Sequence, residues 1–362
     1  MLPRQRYLNT LMFKPVDRIP LMEWPIRKST MDVWIEQGYP ENIPPQEFFN
    51  LDTQHINVPI DMSLLPRFEE RIIEKNDDYK IWQDDLGAIR KDFLKDATPG
   101  FVTRSWLEFP VKDRETFVEM KKRYDANCTE RYPSNWKEKA NILNKCHVPV
   151  HLSIPFLFWT TRDWIGFENL CMMFYDNPKL VDDMFTEFCI DTLNRGIGDI
   201  DIDIVELKED MAYKHAPMIS PAMFKKFMMP HYIRLIDFLK SNGVKLVYVD
   251  CDGYPGDLIP LWIDAGVDAM SPCEIAAGND LLELRQEYPQ FGFFGGIDKR
   301  ELTKDKKAVY QEVIRKVPYL IEKGGYIPHV DHAIPPDIPL ENYLYFREIM
   351  TALVDGKEIH QV

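Results

Sequence analysis

Carboxylate, thiol and imidazole side chains follow four apolar runs in the C-terminal half of this 362-residue chain. The four groups are Asp250-Cys251-Asp252-Gly253, Pro272-Cys273-Glu274, Gly295-Gly296-Ile297-Asp298 and His329-Val330-Asp331-His332. These side chains are the ligand types of zinc and similar divalent ions, and zinc needs only three or four of them. Because chemistry in α/β proteins gathers at the carboxyl ends of the strands, the pattern predicts a metal site where the four runs end.

The run Val244–Asp252 indicates which of its own side chains would face such a site. Alternate residues of a strand share a face, so Asp250 and Asp252 are predicted to point together into the site while Cys251 points away. This parity disfavours Cys251 as a metal ligand. Gly253, directly after the second aspartate, permits an unusual backbone turn or a close approach by a substrate.

Each of these residues also has an ordinary structural interpretation. Either aspartate can cap a following helix, because Asp is a preferred residue at that position. Glu274 can pair with a loop lysine, and His332 can be a hydrogen-bonded structural histidine. Cys251 and Cys273 can be small buried hydrophobes, since free cysteine is among the most buried residue types. The position of all of them at neighbouring strand ends is what favours a common site.

The elements that would position these groups alternate between strand and helix. The strands are predicted at Asp17–Trp24, His55–Ile60, Val148–Ile154, Ile202–Leu207, Val244–Asp252, Asp268–Ser271, Phe291–Gly295 and Tyr326–His329. About eight strands, each followed by a helix, favour a closed barrel over an open sheet. The predicted fold class is therefore α/β, a single (β/α)8 TIM-type barrel domain over residues 1–362, with an N-terminal extension.

One long connection interrupts this alternation at about residues 61–146, and we interpret it as an insertion that covers one end of the domain. Within it, Tyr79–Gln83 and Ala88–Phe93 flank Asp84-Asp85-Leu86-Gly87. Two short runs around an Asp- and Gly-containing turn predict a β-hairpin.

Composition narrows the function classes. The chain is 45% hydrophobic and 28% charged with a net charge of -14, which predicts a soluble globular protein and argues against a nucleic-acid groove. Six cysteines without a CxxC pair favour a reducing cytoplasm over a disulfide framework. We find no signal-peptide pattern and no apolar run near the roughly 18 residues of a membrane span. Gly295-Gly296 lacks the GxGxxG spacing of a dinucleotide site.

Several motifs, in their order and spacing, resemble the uroporphyrinogen decarboxylase superfamily over nearly the whole chain. They are Asp17-Arg18-Ile19-Pro20, Ile219-Ser220-Pro221, Ala265-Gly266-Val267-Asp268-Ala269, Gly295-Gly296-Ile297-Asp298 and Pro335-Pro336-Asp337-Ile338-Pro339-Leu340-Glu341-Asn342. The resemblance implies a (β/α)8 barrel with its site at the carboxyl-terminal mouth, in agreement with the strand count.

The superfamily contains true decarboxylases and zinc-dependent methyltransferases that exchange methyl groups with corrinoid proteins. The decarboxylases carry Met-Arg-Gln-Ala-Gly-Arg after the first strand, where this chain has Glu23-Trp24-Pro25-Ile26-Arg27-Lys28. Without that arginine cluster the carboxylates of a porphyrinogen would lack bidentate partners, so uroporphyrinogen decarboxylation is disfavoured. The chain is closer to the methyltransferase branch.

The thiol-activating methyltransferases carry His-x-Cys-Gly after the fifth strand, an acidic residue after the sixth, and a cysteine before the closing loop. The matching positions here are Asp250, Asp252, Glu274 and His332, which the resemblance implies as the metal ligands, with zinc as the metal. Whether Cys251, Cys273 or His329 replaces one of them stays open. This oxygen-rich set disfavours thiol methylation and favours a methoxy or quaternary-amine methyl donor.

The resemblance therefore implies a metal-dependent methyltransferase or demethylase that moves a methyl group between a small methoxylated or methylated-amine substrate and a corrinoid protein. The corrinoid is expected on a partner protein, because the chain has no Asp-x-His-x-x-Gly motif. Glu209, Asp210 and Asp298 are the predicted catalytic residues, which supply a proton or orient the substrate. The resemblance also implies a homodimer.

Two other classes stay open at this point. In the first, the protein is a metal-free or differently metallated decarboxylase-like barrel enzyme that acts on a small carboxylated substrate, with the acids as general acid and base. In the second, it is a binding or assembly subunit that keeps the barrel without catalysis.

Overall fold

A curled sheet of seven parallel strands forms the centre of the protein, with the strand order β1-β6-β7-β8-β9-β10-β11. The structure is a computed structural model that describes residues 1–53, 55–95, 102–184, 188–357 and 359. The strands are β1 (Ile56–Asn57), β2 (Arg71–Lys75), β3 (Tyr79–Gln83), β4 (Ile89–Phe93), β5 (Arg104–Glu108), β6 (Val150–Pro155), β7 (Ile204–Lys208), β8 (Leu246–Asp250), β9 (Ala269–Ser271), β10 (Gly292–Phe294) and β11 (Tyr326–Ile327). Seven of the predicted strands are thus confirmed as the seven strands of this parallel sheet, and most of them are shorter than predicted.

Helices follow these strands in the α/β alternation that the sequence predicts. Their bounds are α1 (Pro3–Leu11), α2 (Lys28–Glu36), α3 (Pro45–Phe48), α4 (Arg114–Lys122), α5 (Trp136–Asn144), α6 (Leu157–Ile165), α7 (Phe167–Asp176), α8 (Pro178–Met184), α9 (Phe188–Leu193), α10 (Pro221–Met223), α11 (Met229–Ser241), α12 (Ile259–Asp264), α13 (Leu281–Glu287), α14 (Lys299–Leu302), α15 (Lys306–Lys323) and α16 (Leu340–Asp355). Ser220 caps α10 and Pro221 is its first residue, because serine accepts an otherwise unpaired N–H and proline has none to offer.

The strand predicted at Asp17–Trp24 is wrong, and a closed eight-stranded barrel is not confirmed. This segment is extended but forms no strand ladder. Pro20 lacks the N–H that a central strand must donate. The neighbouring Leu21 bonds through its own N–H and C=O to the carboxylate and backbone N–H of Asp52, each at 2.8 Å. The fold is therefore an α/β fold with a curled parallel sheet and TIM-like order.

Helix α1 closes the amino ends of the parallel strands. Its buried residues Tyr7, Leu8 and Leu11 form one hydrophobic cluster with residues at the first positions of the strands, among them Ile204 and Leu246. The outer faces of the strands pack against the helices in a second, larger core.

The inserted segment contains the predicted hairpin. Strands β3 and β4 pair antiparallel, with Tyr79 opposite Phe93 and Gln83 opposite Ile89, and β2 and β5 extend them to a four-stranded sheet. Gly87 has a φ of +92°, a conformation that favours glycine in such a turn. The hairpin is thus confirmed, whereas the division into one domain with an insertion at about 61–146 stays a prediction.

No helix within the described ranges combines the length and the apolar character that crossing a bilayer would require.

Candidate active site

A cavity of about 240 Å³ lies inside the curl of the sheet, above α1. Aromatic side chains form part of its wall, namely Tyr7 at its floor and Trp24, Tyr248 and Phe294 around it. Its polar lining comes from positions in the strands, from the residue before β1 and from the second residue after β11. The residues are His55, Asn57, His151, Ser153, Glu206, Lys208, Ser271 and His329.

A hydrogen-bonded chain crosses the lower part of this cavity. Asn57 Oδ1 lies 2.9 Å from His151 Nδ1, and His151 Nε2 lies 3.3 Å from the hydroxyl of Tyr248. The same hydroxyl donates to Glu206 Oε1 at 2.8 Å. Burial, with the nearby His55 and a lysine as lesser causes, lowers the pKa of His151 to about 2. His151 is therefore neutral and carries a proton on only one of its two ring nitrogens.

Two hydrogen-bond donors of the cavity have no acceptor within the described ranges. The indole Nε1 of Trp24 is buried and unpartnered. The ammonium of Lys208 makes no hydrogen bond to the protein, and its nearest carboxylate oxygen, Glu206 Oε2, is 3.9 Å away. A buried N–H without a partner costs about 1–3 kcal/mol, so the Trp24 indole favours an acceptor that the described part of the chain does not supply. The Lys208 side chain is 40% exposed, so water can accept from its ammonium.

Asp250 stands above the cavity at the last position of β8. It lies two residues beyond Tyr248 and so shares its inward face, and it pairs in register with Lys208 and Ser271 of the adjacent strands. Burial raises the pKa of Asp250 well above its usual value, and the nearby carboxylates, of which Glu206 is the largest contributor, raise it further. Asp250 therefore holds its proton far more readily than an exposed aspartate.

Asp210, which follows β7, belongs to the same rim. Its Oδ1 accepts the backbone N–H of Asp252 at 3.1 Å. Burial raises the pKa of Asp210, with Asp252 as the next cause. Of the three predicted catalytic residues, Asp210 is the one that contacts the loop carrying Asp252, and none of the three lines the cavity.

Asp252 and His332 form a pair at the outer rim. His332 Nε2 lies 3.3 Å from Asp252 Oδ2, and this hydrogen bond is the main cause that raises the pKa of His332. Gly253, the next residue, has a φ of +85°, and a Cβ on it would lie 2.8 Å from the carbonyl oxygen of Tyr213. The turn that presents Asp252 therefore requires glycine at this position.

Glu274 is already bonded within the protein. Its Oε2 accepts the N–H of Gly253 at 2.9 Å, and its Oε1 lies 3.3 Å from the ammonium of Lys299. Lys299 lies at the same distance, 3.3 Å, from Asp331 Oδ1, so it bridges two carboxylates. Glu274 thus pairs with a lysine, as the structural interpretation of this residue predicts.

The four implied ligands do not form a metal site as they are arranged. Within the described ranges, no three His, Cys, Asp or Glu side chains are grouped so that they could hold a metal ion. Asp252 contacts His332, but Glu274 is bonded to Lys299 and Asp250 faces the cavity. This donor set does not fit zinc without rearrangement, since zinc needs three or four ligands at once.

The open candidates Cys251, Cys273 and His329 are buried. Both cysteines lie in the larger hydrophobic core, which for Cys251 agrees with the strand parity argued from the sequence. His329 donates from Nδ1 to the carbonyl of Val330 at 2.7 Å, and burial lowers its pKa to about 4. Its ring lies edge-on to that of Trp24, so His329 is a neutral part of the cavity wall.

Glu209 and Asp298, the other two predicted catalytic residues, have structural contacts. Glu209 is completely buried, and Phe158, Trp159 and Tyr232 all donate hydrogen bonds to its carboxyl group. Asp298 caps α14 through the N–H of Arg300 at 2.9 Å and pairs with its guanidinium at 2.7 Å, contacts that lower the pKa of Asp298. Neither carboxyl group lines the cavity.

The inward polar residues of β6 and β7 were missed by sequence reasoning. His151, Glu206 and Lys208 interrupt otherwise apolar strands at alternate positions. In a buried parallel strand, which reads as a nearly continuous apolar run, such an alternation is the signal that one face lines a polar interior.

Comparisons with known proteins agree on the fold. A family model described as Uroporphyrinogen decarboxylase (URO-D) matches residues 162–353, a little over half of the chain. A methyltransferase from Methanosarcina mazei superposes with a TM-score of 0.57 at 13% sequence identity, covering 98% of this chain and 99% of that chain. At this identity the likeness concerns the fold alone.

A second solved structure is more distant. It is a B12-independent methionine synthase from Shewanella sp. W3-18-1 in complex with selenomethionine, with a TM-score of 0.39, 14% identity and coverage of 82% of this chain and 75% of that chain. No curated protein sequence is significantly similar to this chain.

Proposed function

The chain belongs to the uroporphyrinogen decarboxylase family, and from this premise we propose that it moves a methyl group between a small methoxylated or methylated-amine substrate and a corrinoid protein. The fold likeness to a methyltransferase of the same length supports this choice within the family. The observation that carries the proposal is the position of Asp250 at the end of β8, in register with the cavity residues Lys208 and Ser271, where burial and the neighbouring carboxylates raise its pKa well above the usual value.

Asp250 acts as the general acid. When the bond between the methyl carbon and the heteroatom breaks, the electron pair stays on the heteroatom, which takes the proton of Asp250. A general acid of this kind contributes roughly 10²–10⁴ in rate, and it works best when its pKa lies near the working pH. The charges of Glu206, Asp210 and Asp252 help Asp250 to act as the acid, because they disfavour its ionisation.

The cavity of about 240 Å³ admits a small substrate but not a corrin ring, which is much larger. A corrinoid, when bound on its partner protein at the mouth, supplies the nucleophile that accepts the methyl group. The aromatic wall of Trp24, Tyr248 and Phe294 excludes water from the substrate and holds its apolar part.

Zinc stays a prediction of the resemblance, and the role of Asp250 does not depend on it. Elemental analysis of the purified wild type, Asp252→Ala and His332→Ala separates a zinc-dependent mechanism from acid catalysis by Asp250 alone. A zinc site that includes the rim pair predicts an equivalent of zinc in the wild type and less in both variants. Acid catalysis by Asp250 alone predicts that chelation leaves methyl transfer unchanged.

The direct test measures methyl transfer from a panel of methoxylated and methylated-amine compounds to free, chemically reduced cobalamin. We expect Asp250→Asn to lose roughly 10²–10⁴ in rate, because an amide cannot donate this proton. Asp264→Asn, on the exposed face of α12, is the matched control and keeps full activity. An Asp250→Asn enzyme as fast as the wild type would contradict the assigned role.

A second function, decarboxylation of a small carboxylated substrate, is favoured by one observation. The ammonium of Lys208 faces the cavity without a hydrogen-bonded acceptor, and a cation at this place suits a substrate carboxylate. Mass spectrometry of the products distinguishes the two reactions, because decarboxylation releases carbon dioxide and methyl transfer does not.

A further inference from the structure

The four-stranded sheet of the inserted segment packs against neither hydrophobic core. As far as the described residues show, no side chain of β2, β3, β4 or β5 belongs to either of the two hydrophobic clusters. Strand β2 is exposed along its whole length, and so is β5 from Ser105 to Glu108. Its large apolar side chains include Ile72, which is 62% exposed, and Trp106, which is 53% exposed. An antiparallel sheet commonly buries one of its faces, so this sheet lacks a cover within the described part of the chain.

The edges of this sheet are poorly suited to pairing with another strand. The register of β2 shifts by one residue at Ile73, and that of β5 shifts at Leu107, as in β-bulges. A bulge twists an edge strand and interrupts its row of hydrogen-bonding groups, which protects the strand from edge-to-edge association. A partner is therefore expected over a face of the sheet and not along its edge.

The two faces of the sheet differ in charge. Residues that lie opposite each other on neighbouring strands share a face. One face, which we call the cationic face, carries four basic side chains and a single carboxylate, namely Lys75, Lys80, Arg90, Arg104 and Asp92. The ring of Trp82 on this face is already covered by Lys80 and Arg90, whose Nζ and Cζ atoms lie 4.1 and 4.2 Å from its centroid. Two copies of the cationic face would repel each other.

The opposite face, which we call the neutral face, has two basic and two acidic side chains around an apolar centre. Across the strands, its first row is Arg71, Gln83, Ile89 and Glu108, and its second row is Glu74, Ile81, Lys91 and Ser105. Tyr79 and Phe93 complete the face beyond the second row. In each of the first two rows, the basic and the acidic side chain lie on different strands.

This arrangement of charges is self-complementary. A twofold axis parallel to the strands, between two stacked sheets, places β2 over β5 of the second copy and β3 over β4. Each row then meets itself in reverse order, so that Arg71 faces Glu108 and Lys91 lies diagonally from Glu74. Tyr79 faces Phe93 across the same contact, which favours an aromatic pair. An axis across the strands would instead set Glu74 against Glu74 and Lys91 against Lys91.

We propose that two copies of this chain associate through their neutral faces, about a twofold axis parallel to the strands. The association rests on the inserted sheet alone and does not depend on the proposed function. Four strands about 4.8 Å apart and five residues of about 3.4 Å each give the face an area of roughly 300 Å² in plan. Specific interfaces typically bury about 800 Å² of accessible surface per partner. The dimer is therefore expected to be reversible and to dissociate on dilution.

The test is sedimentation-velocity ultracentrifugation of the full chain over a dilution series. We expect the wild type to pass from dimer to monomer on dilution. Ile81→Asp, at the centre of the neutral face, should weaken association at least tenfold, because the contact would bury an unpaired carboxylate. Ile72→Asp makes the same change on the cationic face and should associate as the wild type does. Neither residue belongs to a hydrophobic cluster, so both variants should keep the circular dichroism spectrum of the wild type.

Charge reversal tests the orientation of the two copies. Arg71→Glu and Glu108→Arg should each weaken association several fold, because each sets like charges against each other, and the double variant should recover most of the wild-type affinity. The present contact of Glu108 with Lys112 joins side chains that are 55% and 60% exposed, so it contributes little and can be exchanged. Three outcomes would overturn the inference: a wild type that stays monomeric at every dilution, a dimer that Ile81→Asp leaves intact, or a double variant that associates no better than the single ones.

Discussion

The protonation state of the buried Glu209 can be tested through its effect on the stability of the protein. Its carboxyl group accepts the N–H groups of Phe158 at 2.8 Å and Trp159 at 3.1 Å, at the start of α6, and the hydroxyl of Tyr232 at 2.7 Å. Burial raises the pKa of Glu209 from 4.5 to about 8, against the opposing effect of these donors. The neutral acid is therefore the form in the folded protein near neutral pH, and Glu209→Gln imitates it.

The sign of the pH dependence follows from linkage. Between 4.5 and about 8 the folded protein keeps the proton of Glu209 while the unfolded chain has lost it, so the free energy of unfolding falls as the pH rises. At 1.36 kcal/mol per pKa unit, this group contributes a loss of about 2 kcal/mol between about pH 6 and pH 8. Glutamine does not titrate, so the variant lacks this loss.

Urea unfolding followed by circular dichroism at several pH values measures the effect. We expect Glu209→Gln to match the wild type within about 1 kcal/mol near pH 6 and to exceed it by about 2 kcal/mol at pH 8. Glu283→Gln, which is exposed on α13, should follow the wild type throughout. Glu209→Ala should be less stable at every pH, by about 3 kcal/mol or more, because three donors lose their acceptor.

The refuting outcome is specific. If Glu209→Gln and the wild type lose stability in parallel between pH 6 and pH 8, Glu209 is ionised in the folded protein. In that case the three donors outweigh burial, and the assignment of a neutral acid at this position is wrong.

Two other predictions concern the rim of the cavity and helix α15. Asp252→Asn should lower the pKa of His332 towards its ordinary value, because the hydrogen bond to Asp252 is the main cause of its rise; NMR titration of the ring protons measures this, and an unchanged pKa would contradict the pairing. Lys316→Met should destabilise the protein by about 3 kcal/mol, the lower end of the range for breaking a buried ion pair, because Arg315, 3.7 Å from Glu312, remains as a second cation. Thermal unfolding measures this against Lys307→Met, an exposed change on the same helix, and equal stability of the two variants would refute it.

The alternation of strands and helices was largely predictable because apolar runs and proline or glycine breaks are local signals. Strand β8 followed from its β-branched apolar run, and the outward position of Cys251 followed from strand parity. The strand prediction at Asp17–Trp24 was wrong because the apolar residues of this segment are buried without forming a strand ladder. Whether Leu21 bonds to a strand or to Asp52 depends on the folded chain and not on local sequence.

The site was predictable only in part. The sequence located the strand ends, but it could not show that Glu209 is sealed beneath α6 or that Lys299 holds Glu274, because both contacts join distant segments. The inward residues Glu206 and Lys208 were hidden for a related reason. Their alternation with apolar residues becomes informative only once both faces of β7 are known to be covered.

Helix α1 has a kinetic consequence. It seals the floor of the cavity with Tyr7, so under the proposed function a substrate and its product would pass through the opposite side, which a partner carrying a large cofactor would also face. A partner seated there before the small molecule would block its entry. If the proposed function holds, we therefore expect the small molecule to bind first and leave last, and an excess of the partner protein to inhibit turnover.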